Sequence, residues 1–411
     1  MHRASTVIGF AALAWLAATA PARDSGSWVG TWGTSPVGLP AAAKVGSHGV
    51  PLPTNVKGSI RYRLRIAVGG SRIRLRLSNE YGAAELAVAA VSVGIAGERL
   101  DVLPGSLRRA TFAGKTAVTI PAGAPMLSDP IDLPVKPLSD LMVTLYVPAG
   151  VALFSWSPEA GSTTDPAVVD ALDATLSEHL PDDRRMSIRP LVAAVDVLTD
   201  HPRKVIAAFG DSITDGMVDP ATGERGWPGA LSRRLAGRDI SVVNAGIGGN
   251  RLLQSLSFMG SSALSRMDRD VFSIPGLSHV VLLEGINDIG MSGKGGMFGD
   301  LPPVTPQDLI GAYGQIIERA HERGIKVFGA TILPFEGAGY YSAEKEQVRQ
   351  TVNAWIRASK AFDGFIDFDA VMRDPASPRT MKAAFDSGDH LHPNAAGYRH
   401  MGDVIELRLF D

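Results

Sequence analysis

The chain has 411 residues with no cysteine, and its 40 basic and 42 acidic residues leave a formal net charge of −2. That length exceeds what a single hydrophobic core usually supports and implies two folded units. The near-neutral balance supplies no basic face of the kind that neutralises phosphates, so a nucleic-acid partner is not expected. Without cysteine, neither disulfides nor a thiol nucleophile are available.

The N-terminus reads as an export signal, residues 1–22. His2 and Arg3 precede an apolar run from Val7 to Ala18, and Ala20-Pro21-Ala22 offers small residues where a signal peptidase cuts. The alternative, a short membrane anchor, needs ~20 apolar residues and the run is shorter. No later segment reads as a membrane helix, so stable membrane insertion is not expected. A cysteine-free exported chain fits a periplasmic or secreted location.

From about residue 28 to 197 the pattern has a period of two. Arg61, Arg63 and Arg65 alternate with Tyr62, Leu64 and Ile66, and Arg72, Arg74 and Arg76 alternate with Ile73, Leu75 and Leu77. The intervening Gly69-Gly70 suggests a hairpin. The arginines read either as its solvated face, some paired to carboxylates, or as a stripe for anionic polysaccharide. Further strands are expected at 86–93, 115–120, 141–147 and within 187–200, with a polar connection at 165–183 able to hold a short helix. Residues 23–200 are therefore expected to form an all-β sandwich or jelly-roll-like domain.

From residue 201 onward short strands alternate with helices: strands at 204–209, 241–243, 279–283, 325–330 and 365–368, and helices at 227–235, 306–323, 343–359 and 394–407. Thr305 and Ser342 stand at N-cap positions, Pro306 at a first helical position and Gly324 at a stop. This alternation predicts a parallel sheet about five strands wide, covered on both faces, over residues 201–411. Active residues in such a fold sit at the carboxyl ends of the strands.

Three segments fall there, and a fourth stands before the last helix. Gly210-Asp211-Ser212-Ile213 follows the first strand, and a serine at such a turn either presents its hydroxyl above the sheet or caps the next helix. Asn244-Ala245-Gly246-Ile247-Gly248-Gly249-Asn250 follows the second, where clustered glycines let backbone amides approach a ligand or simply allow a tight turn. Glu284-Gly285-Ile286-Asn287-Asp288 follows the third, and the Asn287 amide can donate into a site or cap a turn. Asp389-His390-Leu391-His392-Pro393-Asn394 precedes the last helix, and an Asp-x-x-His pair can fold back so that the carboxylate orients the imidazole. The segments fit neither a phosphate-binding loop nor a dinucleotide fingerprint. A zinc reading lacks a clear third ligand.

In this order the segments resemble the four blocks of the SGNH branch of the GDSL esterase/lipase superfamily, with Gly-Asp-Ser-Ile replacing Gly-Asp-Ser-Leu. The resemblance covers residue 201 to the end and implies a three-layer α/β/α flavodoxin-like hydrolase domain. It assigns Ser212, Asp389 and His392 as the triad, and Ser212, Gly249 and Asn287 as oxyanion-hole donors. Gly249 is preferred to Gly248 by block alignment. Asp211, Gly248, Asn250, Asp288 and His390 are candidates to line the site, with His390 two residues early for the family base. No metal or organic cofactor is implied.

The expected function is hydrolysis of short-chain carboxylic esters through an acyl-enzyme on Ser212. The expected substrate is a small ester or an acylated glycan, with O-acetyl carbohydrate favoured by export and by the β-rich companion domain. Alternatives are a simple aryl or alkyl esterase or lipase, an acyltransferase, and a non-catalytic polysaccharide-binding protein. Trp156, Trp227, Tyr340 and Tyr341 are aromatic candidates for sugar contact or for core packing. The glycine-rich loop 292–299 is a candidate to shape the site.

Overall fold

The computed structural model describes residues 26–38, 56–151, 155–158, 167–169, 172–180, 184–185, 188–201, 203–256, 259–296 and 299–411. The segment 1–22, expected to be an export signal, lies outside the described residues, as does the side chain of Trp156.

The N-terminal half is built from antiparallel sheets. One has four strands in the order Ser27–Gly33, Val192–Thr199, Arg72–Ser78, Pro125–Leu127; another has six, with Val56–Arg65 and Asp140–Val151 paired at its centre. Ile60, Tyr62 and Leu64 from the second sheet and Ile73, Leu75 and Leu77 from the first bury into one core, which makes the pair a sandwich.

The expected hairpin does not form. The strand Val56–Arg65 pairs with Asp140–Val151 and Ala167–Val169, whereas Arg72–Ser78 pairs with Val192–Thr199 and Pro125–Leu127. Gly69-Gly70 carries the chain from one sheet to the other through a gap too narrow for side chains: a Cβ on Gly69 would lie 2.3 Å from the Val135 carbonyl oxygen, and one on Gly70 2.4 Å from that of Leu198.

The arginines are not a plain solvated face, although the expected pairing of some of them with carboxylates is present. Arg61 is buried and donates to the carbonyls of Leu100, Ala174 and Ser177 and to Thr144 Oγ1, at 3.0, 3.2, 2.6 and 2.7 Å. Arg63 and Arg65 share Asp140, and Arg74 pairs with Asp196. The second face of these strands is thus covered by turns and ion pairs. The segment at 86–93 divides into Leu86–Val88 and Ala90–Ile95, and the strand expected at 115–120 shortens to Val118–Ile120. The described part of 165–183 holds a strand and turns but no helix.

The C-terminal half has a five-stranded parallel sheet in the order Ile240–Gly246, Lys204–Gly210, Leu277–Leu283, Lys326–Ala330, Gly364–Ile366. The order reverses after the second strand, so right-handed crossovers place helices on both faces. Gly226–Leu235 packs with Ala395–Val404, and Pro306–His321 with Ala343–Ala358. Thr305 and Asp308 form a reciprocal capping box at the start of the Pro306–His321 helix. The strand expected at 365–368 stops at Ile366, because Asp367 accepts the Ala370 N–H and starts the helix Phe368–Met372. Among the described residues of the glycine-rich loop and just beyond it, Gly293–Gly296 pairs antiparallel with Gly299–Leu301.

The two halves share a core. Val205, Val243 and Ile247 of the parallel-sheet half cluster with the sandwich core, Gly30 N–H donates to Pro275 O at 2.9 Å, and Ser241 Oγ donates to Gly30 O at 2.7 Å. Among the described residues no helix is long and apolar enough to cross a membrane.

Candidate active site

The sheet's order reverses between Ile240–Gly246 and Leu277–Leu283, on either side of the Lys204–Gly210 strand, and a ligand crevice is expected at such a point. Three of the four segments leave these strands at their carboxyl ends. The fourth arrives in the loop before the last helix.

Ser212 opens the single turn Ser212–Asp215. Its N–H precedes the first intrahelical bond, and the Asp211 carboxylate takes the next one along, Ile213 N–H, at 2.8 Å. Ser212 Oγ lies 2.8 Å from His392 Nε2, and His392 Nδ1 lies 2.6 Å from Asp389 Oδ2. Because an ionised carboxylate only accepts, Nδ1 carries the imidazole proton and Nε2 is left to accept from Ser212. Asp389 Oδ1 is held by the N–H groups of His392 and Leu391, at 2.8 and 3.0 Å, and by Ser387 Oγ at 2.9 Å. Burial pushes the Asp389 carboxyl up, but the His392 ring and these backbone bonds together outweigh it and hold the group well below the usual carboxylate range. Asn394 fixes the end of this loop by capping the Ala395–Val404 helix through Gly397 N–H and donating to Ala384 O and Asp386 O.

The glycine segment and Asn287 meet beside the serine turn. Gly249 has φ +73°, and a Cβ there would lie 2.7 Å from Met259 Sδ; Gly248 lies outside the left-handed region with open space around its α carbon. Asn287 Nδ2 donates to Asn250 O at 2.9 Å, which uses one amide hydrogen and leaves the other for a ligand. Tyr340 O–H donates to Asn287 Oδ1 at 3.4 Å, so the amide presents nitrogen, not oxygen, to the Asn250 carbonyl.

Three residues read as site lining are turned inward. Asp211 caps the serine turn; Asp288 accepts the N–H groups of Leu252 and Leu253 at 2.7 and 2.9 Å; Asn250 is fully buried. Burial pushes the Asp211 carboxyl up to about 7 and that of Asp288 up to about 6, each against hydrogen bonds that pull it down. Glu284 is raised well above its ordinary value, by burial first and then by neighbouring Asp211. His390 stands on the rim at φ +61°, with Nδ1 2.7 Å from Asp386 Oδ2. Trp227 belongs to the core against Phe368, and Tyr341 packs on Phe335.

The residue that sequence reasoning missed is Arg266. Fully buried, it donates to Gly210 O at 2.9 Å, Ala245 O at 2.7 Å, Asn250 Oδ1 at 2.9 Å and Ser35 Oγ at 3.1 Å, and it faces Asp270 and Glu284 at 3.2 and 3.5 Å. It ties three of the segments together beneath the serine. A lone arginine in a short helix carries no signal of that role. Tyr340 was legible only as an aromatic residue.

The parallel sheet and its reversal point thus bring a serine, a histidine and a carboxylate into one hydrogen-bonded row at the carboxyl ends of the strands. Residues 208–400 match the GDSL-like lipase/acylhydrolase family. Similar solved structures include an aryl esterase from M. smegmatis (18% identity, TM-score 0.38, 49% of this chain and 95% of that one). A GDSL-like lipase from Bacteroides thetaiotaomicron is 20% identical with TM-score 0.37 over 51% of this chain and 88% of its own. A carbohydrate acetylesterase from Sinorhizobium meliloti is 18% identical with TM-score 0.35 over 49% and 94%. No curated protein matches the chain.

Proposed function

We propose that the protein is a serine esterase that hydrolyses short-chain carboxylic esters, O-acetyl groups on carbohydrate among them, and that it works outside the cytoplasm. One observation carries the reading: Ser212 Oγ, the His392 ring and the Asp389 carboxylate form an unbroken row at 2.8 and 2.6 Å. In this reading His392 Nε2 accepts the Ser212 proton as the oxygen attacks the ester carbonyl, and Asp389 stabilises the imidazolium that forms. The Ser212 and Gly249 N–H groups and the free Asn287 amide hydrogen receive the negative charge that develops on the carbonyl oxygen. His392 then protonates the departing alcohol, and water, activated by the same ring, releases the acid from Ser212.

The acetyl preference is supported by the export signal read at residues 1–22 and by the β-sandwich companion. The test is acyl release from short- and long-chain aryl esters and acetylated oligosaccharides by wild type and Ser212→Ala. Serine-dependent release of acetate from the sugars is expected. Activity confined to simple esters would remove the carbohydrate part of the proposal, and equal release by the variant would remove the whole.

A further inference from the structure

Asn250 has its polar groups committed. Its Oδ1 accepts from Arg266 Nε at 2.9 Å, its Nδ2 donates to Met259 O at 2.8 Å and Ser261 O at 2.9 Å, and its N–H donates to Ile247 O at 3.1 Å. Its carbonyl is the group that holds Asn287 Nδ2. Asn250 also directly follows Gly249 in the chain. The positions of two oxyanion donors are therefore set by Arg266 and by the turn at 259–261, whose Met259 packs on the Gly249 α carbon.

That turn and that arginine are both held by the N-terminal β-domain. Arg269 donates to Tyr81 Oη at 2.6 Å and to Pro36 O at 3.2 Å. Tyr81 Oη also lies 3.0 Å from Ser261 Oγ, a hydrogen bond in which either hydroxyl can donate. Val37 packs on Gly260 so closely that a Cβ there would lie 3.0 Å from Val37 Cγ1. Ser35 Oγ accepts from Arg266 at 3.1 Å. An uninterrupted set of contacts runs from Ser35 and Tyr81 through Arg266 and Ser261 to Asn250, and from there to Gly249 and Asn287.

We infer that the β-domain is a working part of the oxyanion hole, with Tyr81 and Ser35 as positioning residues that fix the Gly249 and Asn287 donors through Asn250. The inference rests on the esterase reading above and assigns the companion domain a task in the reaction itself, independent of any glycan. Buried networks of this kind constrain geometry because each unmade bond strands a desolvated polar group. Oxyanion donors act on the transition state more than on bound substrate, so loosening them lowers kcat and leaves KM in place.

The experiment compares Tyr81→Phe and Ser35→Ala with wild type, with Ser212→Ala, and with Thr111→Val. The last removes the Thr111–Asp129 bond, 2.7 Å, and Thr111 is absent from the network just traced. The readouts are kcat and KM on an aryl acetate, binding of a boronic acid that mimics the tetrahedral oxyanion, and the urea midpoint. Tyr81→Phe and Ser35→Ala should each lower kcat by roughly tenfold, short of the ~10²–10³ lost with a whole donor. KM should stay put, boronate affinity should fall in parallel with kcat, and Thr111→Val should change only the urea midpoint. Unchanged kcat in both variants, a change seen only in KM, or an equal kcat loss in Thr111→Val would overturn the inference. An inactive wild type, or an active Ser212→Ala, would overturn the esterase reading instead.

Discussion

Alanine at Gly249 and at Gly248 should have opposite consequences, although the two residues are neighbours in one loop. Gly249 sits at φ +73°, where an L side chain costs about 1–2 kcal/mol. The added Cβ would also meet Met259 Sδ at 2.7 Å and Cγ at 2.8 Å. A methionine side chain can rotate away, so the overlap adds little to stability, but the movement displaces the residue that backs the loop. Gly249→Ala should therefore cost about 1–2 kcal/mol, lowering Tm by roughly 1 °C for each kcal/mol in a chain of this size. Its kcat should fall toward the ~10²–10³ expected when one oxyanion donor is lost. A Cβ on Gly248 meets nothing within 4 Å, so that variant should stay within about 0.5 kcal/mol of wild type and keep its kcat. Thermal melts and steady-state kinetics on an aryl acetate decide the matter. A larger kcat loss in Gly248→Ala than in Gly249→Ala would refute the assignment of Gly249 as donor.

Asn287→Ala should lower kcat by about 10²–10³ with little change in KM, and an unchanged kcat in steady-state assays would remove Asn287 from the oxyanion hole. Asp389→Asn should lower kcat near neutral pH by up to about 10⁴, because the imidazole loses the partner that fixes its tautomer. The folded-state pKa of Asp389 is depressed, so its bonds stabilise the fold above the ordinary aspartate value of ~3.9 and the contribution fades as pH falls below it; wild type and variant should converge in urea midpoint at low pH, and a constant gap contradicts this. Asp211 has the opposite sign: burial raises it to about 7, so its stabilising contribution is complete below ~3.9 and is lost as pH rises toward 7. Asp211→Asn keeps a competent N-cap, so it should gain stability relative to wild type between pH 4 and 8; an equal difference at both ends would show that Asp211 does not titrate in this range.

The parallel-sheet half was legible because its signals are local. Helix caps at Thr305 and Ser342, short apolar strands and three segments at strand ends each depend on a few adjacent residues, whereas the order of the strands within the sheet is set by long-range pairing. The sandwich was legible as a class but not in its pairings. Alternation at 61–66 and 72–77 shows that two strands each have an inner face; it does not say whether they share a sheet, and here a tight passage at Gly69-Gly70 sends them to opposite ones. Burial of Arg61 was hidden because most of its acceptors are main-chain carbonyls, at Leu100, Ala174 and Ser177, which leave no mark in side-chain identity. The same reasoning explains Arg266, whose partners include the Gly210 and Ala245 carbonyls. Asn250 read as site lining because it adjoins Gly249, yet its side chain points into the loop it organises.

The most direct test of the account is covalent capture of the nucleophile. A fluorophosphonate should react when Ser212 Oγ displaces fluoride, adding one phosphonyl group per chain, and peptide mass spectrometry should place it on Ser212. His392→Ala should slow the labelling sharply, because the hydroxyl then lacks the base 2.8 Å away. Single, His392-dependent modification of Ser212 is the predicted result. Labelling at another residue, or labelling of Ser212 at the wild-type rate without His392, would contradict the triad on which the proposed function stands.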